Sequence, residues 1–178
     1  MSAGSIRATQ GEAQARRGEG AADATDVAEV LSPAAVRSLS QVTSKKRLFQ
    51  EIAELAASAY GLAVQGTVDA LQEREALGPT GVGQGVALPH ARLHGLDQVR
   101  GVFLRLERPL DFDAVDRQPV DLVFALLAPI AGGVDHLKAL ALVSRTMRTP
   151  ELRDMLRANT DPVALHALLV SGMSHKTV

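Results

Sequence analysis

The sequence predicts an α/β layer fold in one domain, and three observations carry that expectation. Apolar runs with strand character alternate along the chain with segments whose apolar residues recur every three and four positions, the pattern of strands and helices layered around one core. The 178 residues are 46% hydrophobic and 22% charged, enough for a single sizeable core and outside the disordered class. The longest uninterrupted apolar run, Leu122 to Ala128, has the length of a buried strand. It falls far short of the roughly 20 residues of a membrane helix.

Residues 1–26 carry almost no large apolar side chain and are expected to form a disordered tail, because they cannot offset their chain entropy by burial. The domain is expected over 27–172. Val27 to Leu31 is an apolar patch closed by Ser32-Pro33, a capping residue followed by a helix-starting proline. Ser44 caps a longer helix whose stripe is Leu48, Ile52, Leu55, Ala56 and Ala59, and Gly61 ends it. Lys45, Lys46 and Arg47 stand in its first turn against the helix dipole and read as a solvated face. A second helix is expected from Thr67, as its cap, to Leu77, closed by Gly78-Pro79.

Next come the spaced glycines Gly81, Gly83 and Gly85, then Val86-Ala87-Leu88, read as a short strand that Pro89 must end for want of an N–H. Val99 to Leu106 reads as a strand broken by Arg108-Pro109, and Asp111 to Gln118 as a charged connection. Val120 to Ala128 reads as a strand buried on both faces, ended by Pro129. Asp135 is placed to cap a helix with His136 in its first turn and Leu137, Leu140, Ala141, Ser144 and Met147 along one face. After the loop Asn159 to Asp161, a last helix runs from Pro162 to Val170, and 173–178 is a terminal tail. Strand order is not readable from this pattern.

Composition excludes several functions. With 19 basic and 20 acidic residues there is no field to attract nucleic acid or an anionic membrane. One Tyr, four Phe and no Trp leave no stacking platform for single strands. Cysteine is absent, which removes disulfides, thiolate zinc sites and cysteine nucleophiles and fits a cytoplasmic location. The first residues carry no apolar h-region, so no secretory signal is expected.

The candidate chemistry centres on His90, presented after Pro89 at the end of the short strand. Reacting groups gather at strand ends in α/β folds, and a neutral imidazole is a nucleophile that titrates near neutrality. From the local sequence, a hydrogen-bonded rim histidine accounts for the same residues equally well. Arg74, in the polar last turns of the second helix, leads straight into the glycine loop and has the fork geometry that suits phosphate. His136 at a helix start sits beside positive dipole, which favours the neutral ring and receives anions. A zinc site from His90, His94 and His136 is the competing chemistry. The spacing of His90 and His94 suits a helix face, but Pro89 and Gly95 oppose a helix there. His166 and His175 are assigned no role.

The block Arg74-Glu75 followed by Gly78-Pro79-Thr80-Gly81-Val82-Gly83-Gln84-Gly85-Val86-Ala87-Leu88-Pro89-His90, with Ser44-Lys45-Lys46-Arg47, Phe112 to Asp116, Gln118 to Leu127 and His136-Leu137, resembles enzyme IIA of the fructose/mannitol class of the bacterial phosphotransferase system. The likeness is nearest to the nitrogen-regulatory type and runs from about Val27 to Leu169. The resemblance implies a mixed sheet flanked by helices on both faces. It implies that His90 accepts phosphate on its Nε2 (tele) nitrogen from a histidine phosphocarrier protein (HPr-like), itself charged from phosphoenolpyruvate through enzyme I. It further implies that His136 and Arg74 assist the phosphoryl group, with loop amides around Gly83 and Gly85 as added donors. No cofactor or metal is expected. In the nitrogen type the expected output is contact with regulatory target proteins; a sugar-transport role, passing phosphate to a fructose/mannitol permease component, is the alternative.

Overall fold

The computed structural model describes residues 26–172, so the expected tails lie, Asp26 apart, outside the described residues. Helix α1 (Val27–Val30) and a 3-10 turn (Pro33–Ala35) precede strand β1 (Val36–Leu39). Helices α2 (Lys45–Tyr60) and α3 (Val64–Leu77) follow, then β2 (Gly81–Gly83), β3 (Val86–Ala87), β4 (His90–Leu93), β5 (Arg100–Leu110) and β6 (Val120–Pro129). Helices α4 (Gly133–Met147), α5 (Pro150–Arg157) and α6 (Pro162–Ser171) complete the domain.

The strands form one mixed sheet in the order β1-β5-β6-β3-β2, with β4 also paired to β6. β6 runs antiparallel to β5 and parallel to β3 and β4. Every residue from Leu122 to Ala128 is fully buried, which requires cover on both faces of the sheet. Helices supply it: α2 packs on β5, α4 and α5 on β6, and α6 on β1. Few as they are, the phenylalanines all enter the core, in two edge-to-face pairs: Phe49 with Phe112 and Phe103 with Phe124.

Ser32, Ser44 and Asp161 cap as their side chains suggest, and Gly61 ends α2 in the left-handed conformation at φ 72°. Other expectations need correction. Thr67 is no cap; α3 begins at Val64, and the Thr67 hydroxyl donates to Ala63 O within the helix. Asp135 is the third residue of α4, whose cap is Gly132 without a side-chain bond. The buried face of α4 is His136, Ala139, Val143 and Met147, while Leu137 points to solvent. Pro109 does not break β5, because the register slips between Arg105 and Leu110 and no ladder donor is needed there. β1 and α5 were not anticipated.

Pro89 interrupts its strand without ending the line. Val86 pairs Leu122 and His90 pairs Leu126, so β3 and β4 lie along one side of β6 in unbroken register. Proline lacks only the donor; its carbonyl still accepts from Leu126 N at 2.9 Å. His90 therefore opens β4 rather than standing beyond a strand's end.

Candidate functional site

The half-buried ring of His90 is held at both nitrogens. Nδ1 lies 2.8 Å from Leu88 O, and Nε2 receives the Nε–H of Arg74 at 3.2 Å. A guanidinium only donates and a carbonyl only accepts. These partners together fix a neutral imidazole with its proton on Nδ1 and its lone pair on Nε2.

Arg74 comes from the last turn of α3, and its Nη1 also donates to Gly78 O at 2.9 Å. The neighbouring Glu75 fixes the loop that follows. Its carboxylate accepts from Lys45 Nζ at 2.9 Å, Thr80 N at 3.1 Å and Thr80 Oγ1 at 2.6 Å. Lys45 thus ties α2 to α3 and lies 4.8 Å from the Phe112 ring centroid. The solvated face expected of it is corrected by that pairing, whereas Arg47 does pair on the surface with Glu51.

His136 is brought to the same place, its ring centroid 5.5 Å from that of His90. It is buried, and its Nδ1 has no hydrogen-bond partner among the described residues. Burial first, and then the adjoining His90 ring and the charge of Arg92, hold its pKa below the usual histidine value. Arg92 was passed over in the sequence. The signal available was its two-residue spacing from His90, which on a strand puts both side chains on one face.

Gly83 and Gly85 are not brought to His90. They flank the turn of the β2–β3 hairpin, where an added Cβ would meet Asp116 at Gly83 and Arg157 at Gly85. Gly85 O accepts from Asp121 N, while His90 pairs Leu126. Five residues of β6 separate the two points, roughly 16 Å. His94 is exposed in the turn after β4, and His166 Nε2 lies 3.0 Å from Leu31 O. Among the described residues no group of three or more His, Asp or Glu is placed to hold a metal ion. An apolar hollow of about 550 Å³, lined by Leu142, Leu152 and Leu168 of α4, α5 and α6, contains none of the site residues.

The site thus offers an uncharged nucleophilic nitrogen with two guanidinium-bearing residues and a second uncharged imidazole around it, on an open surface. Such a set suits an incoming anion.

Comparison with known proteins was made against this geometry. The sequence model of the family described as "Phosphoenolpyruvate-dependent sugar phosphotransferase system, EIIA 2" matches residues 29–171. A "Nitrogen regulatory protein" of Bradyrhizobium diazoefficiens is 44% identical over 143 residues, covering 80% of this chain and 94% of that protein. The crystal structure of nitrogen regulatory protein IIA-Ntr from Neisseria meningitidis superposes with a TM-score of 0.74 at 36% identity, over 80% of this chain and 98% of the other. The enzyme IIA mannitol of Escherichia coli, seen in complex with phosphorylated enzyme IIB mannitol, shares the fold at a TM-score of 0.65 and 18% identity, over 80% of this chain and 99% of that one.

Proposed function

This chain belongs to the EIIA 2 family of the phosphoenolpyruvate-dependent sugar phosphotransferase system, among relatives named nitrogen regulatory proteins, and from that premise we propose that His90 is its phosphoacceptor. The donor is a histidine phosphocarrier protein, and the phosphorylated and free forms act on regulatory target proteins by contact. The observation that carries this is the state of the His90 ring. Leu88 O holds the proton on Nδ1, which leaves the Nε2 lone pair as the attacking pair.

In the transfer, Nε2 forms a bond to phosphorus as the donor's nitrogen–phosphorus bond breaks and its electron pair returns to the carrier. The Nδ1 proton stays on His90, against Leu88 O, where it stabilises the charge that develops on the ring. Arg74 lets go of Nε2 and takes equatorial phosphoryl oxygens, the geometry for which its fork is suited. His136, uncharged and 5.5 Å away ring to ring, offers a further donor. Catalysis of this kind is positioning and electrostatics rather than covalent help.

The surroundings favour a protein donor. Leu77 closes α3 three residues after Arg74, and Val134 and Leu137 flank His136; they are 83%, 62% and 63% exposed. Apolar side chains around a polar centre are what a transient protein interface uses. Regulation is favoured over transport because the relatives that match most of the chain carry the regulatory name.

The test is incubation with phosphoenolpyruvate, enzyme I and the phosphocarrier. Acid-labile phosphate is expected on His90 of the native protein and none on His90→Ala. Equal labelling of that variant would remove the assignment. Phosphate passing onward to a fructose/mannitol permease component would move the protein to the transport role.

A further inference from the structure

A second cation stands on the face of His90. In β4 the side chains of Ala91 and Leu93 are buried, so His90 and Arg92 leave the strand together on the other face. Arg92 is exposed, and its Nη1 donates to Pro129 O at a long 3.3 Å. None of the ion pairs among the described residues includes it. Its charge nonetheless reaches His136, whose ring packs on His90. Arg74, by contrast, is spent on His90 and Gly78. A phosphoryl group on Nε2 carries three oxygens and close to two negative charges, more than one guanidinium satisfies.

We propose that Arg92 is a second phosphoryl-binding cation, which leaves Pro129 O to bind an oxygen of the phosphoryl group on His90 alongside Arg74. The inference rests on His90 being the phosphoacceptor. Arg92 is poised rather than preset: a neutral carbonyl parks the guanidinium weakly, and a dianion within reach outbids it. Its contribution is to the phosphorylated form, so it sets how firmly this protein keeps phosphate against the carrier.

The experiment compares the native protein with Arg92→Gln and Arg92→Lys, each phosphorylated by phosphoramidate. In that step the reagent's P–N bond breaks, the Nε2–P bond forms and the nitrogen leaves as ammonia, so no carrier contact is involved. Phosphorus NMR then follows the titration of the phosphoryl group. The R92Q variant is expected to ionise at higher pH than the native protein, and R92K to stay near the native value. With the carrier present, the R92Q equilibrium should shift roughly five- to tenfold toward the carrier. Because Arg92 is exposed, thermal midpoints should match and exclude misfolding. An unchanged phosphoryl titration, with only the carrier's KM altered, overturns the inference and makes Arg92 a docking charge. Absence of label on native His90 overturns the phosphoacceptor assignment itself, and this inference with it.

Discussion

The lone pair on Nε2 of His90 is occupied at rest, since Arg74 donates into it at 3.2 Å. The bond that fixes the tautomer also covers the atom proposed to attack. Arg74→Ala should therefore act in opposite directions on two reactions. Phosphoryl transfer from the carrier should fall about a hundredfold or more, the usual loss on removing a charge-stabilising donor. Acylation of His90 by diethyl pyrocarbonate, small and uncharged, should quicken; mass spectrometry of the His90 peptide reads this, and slower acylation would show that Arg74 activates the ring instead of covering it. His136 carries a second prediction, in pH. Its folded-state pKa is depressed, by burial before charge, so on acidification the unfolded chain takes the proton first. The stability it contributes is complete above about 6.5, the ordinary histidine value, and drains as pH falls from there toward the folded value. Thermal midpoints between pH 7.5 and 5.5 should drop more steeply for the native protein than for His136→Gln; parallel lines would reject the depressed pKa. Of these residues the sequence exposed His90, Arg74 and His136 through local context. Arg92 is visible only when β4 is known to be a strand, because the shared face exists in that conformation alone.

At the scale of elements, the site depends on a loop stapled from beneath. The Gly78 carbonyl that holds Arg74 belongs to the turn between α3 and β2, and Glu75, with a side chain 8% exposed, fixes that turn through Thr80 while pairing Lys45. Glu75→Ala leaves the partly exposed Lys45 ammonium with Asp113 alone, at 3.7 Å, and strands the buried Thr80 N–H, and should cost about 1–3 kcal/mol in urea unfolding. Phosphoryl transfer by the remaining folded protein should fall too, because Arg74 loses its mounting; full transfer activity would separate the staple from the site. The helix starts that were legible had a side-chain oxygen at the cap, as at Ser44 and Asp161. Those that misled had none: α3 and α4 are capped by Ala63 and Gly132 without a side-chain bond, so the nearest Thr or Asp drew the boundary inward. The face of α4 was misread because its buried side includes His136 and Ala139 while the large Leu137 is outside. Tertiary packing around the site overrode the apolar pattern. β1 has four residues, and its partner lies some 67 positions on, at Phe103, a pairing no local window contains.

Across the whole molecule, β6 separates chemistry from a structural clamp. Leu126, near one end, lies beside His90; Asp121, near the other, accepts from Arg157 Nε at 2.9 Å and Nη2 at 3.0 Å. Arg157 also donates to Gln84 O at 2.6 Å, and its own carbonyl accepts from Arg105, which reaches Ser38 as well. Arg157, the last residue of α5, thus joins the β2–β3 hairpin and β6 through its guanidinium and β5 through its carbonyl, and by way of Arg105 the edge strand β1. The glycines at 83 and 85 belong to this clamp: Gly85 sits at φ 75° with Arg157 where a Cβ would be. Their spacing beside the proposed phosphoacceptor suggested a phosphate cradle, yet a glycine is demanded equally by a positive-φ turn and by close approach of a side chain. Asp121→Ala should lower stability by about 1–2 kcal/mol, discounted for the partial exposure of the pair. It should leave the rate of phosphoryl transfer per folded molecule unchanged, since roughly 16 Å of rigid strand lies between. Asp121 and Glu75 share no hydrogen-bond partner among the described residues, and groups without shared partners contribute independently. The double variant Asp121→Ala, Glu75→Ala should therefore unfold with the sum of the two single losses, within about 0.5 kcal/mol. A larger coupling, or slower transfer in Asp121→Ala alone, would show that the hairpin carries strain to His90 and that the two ends of β6 act as one unit.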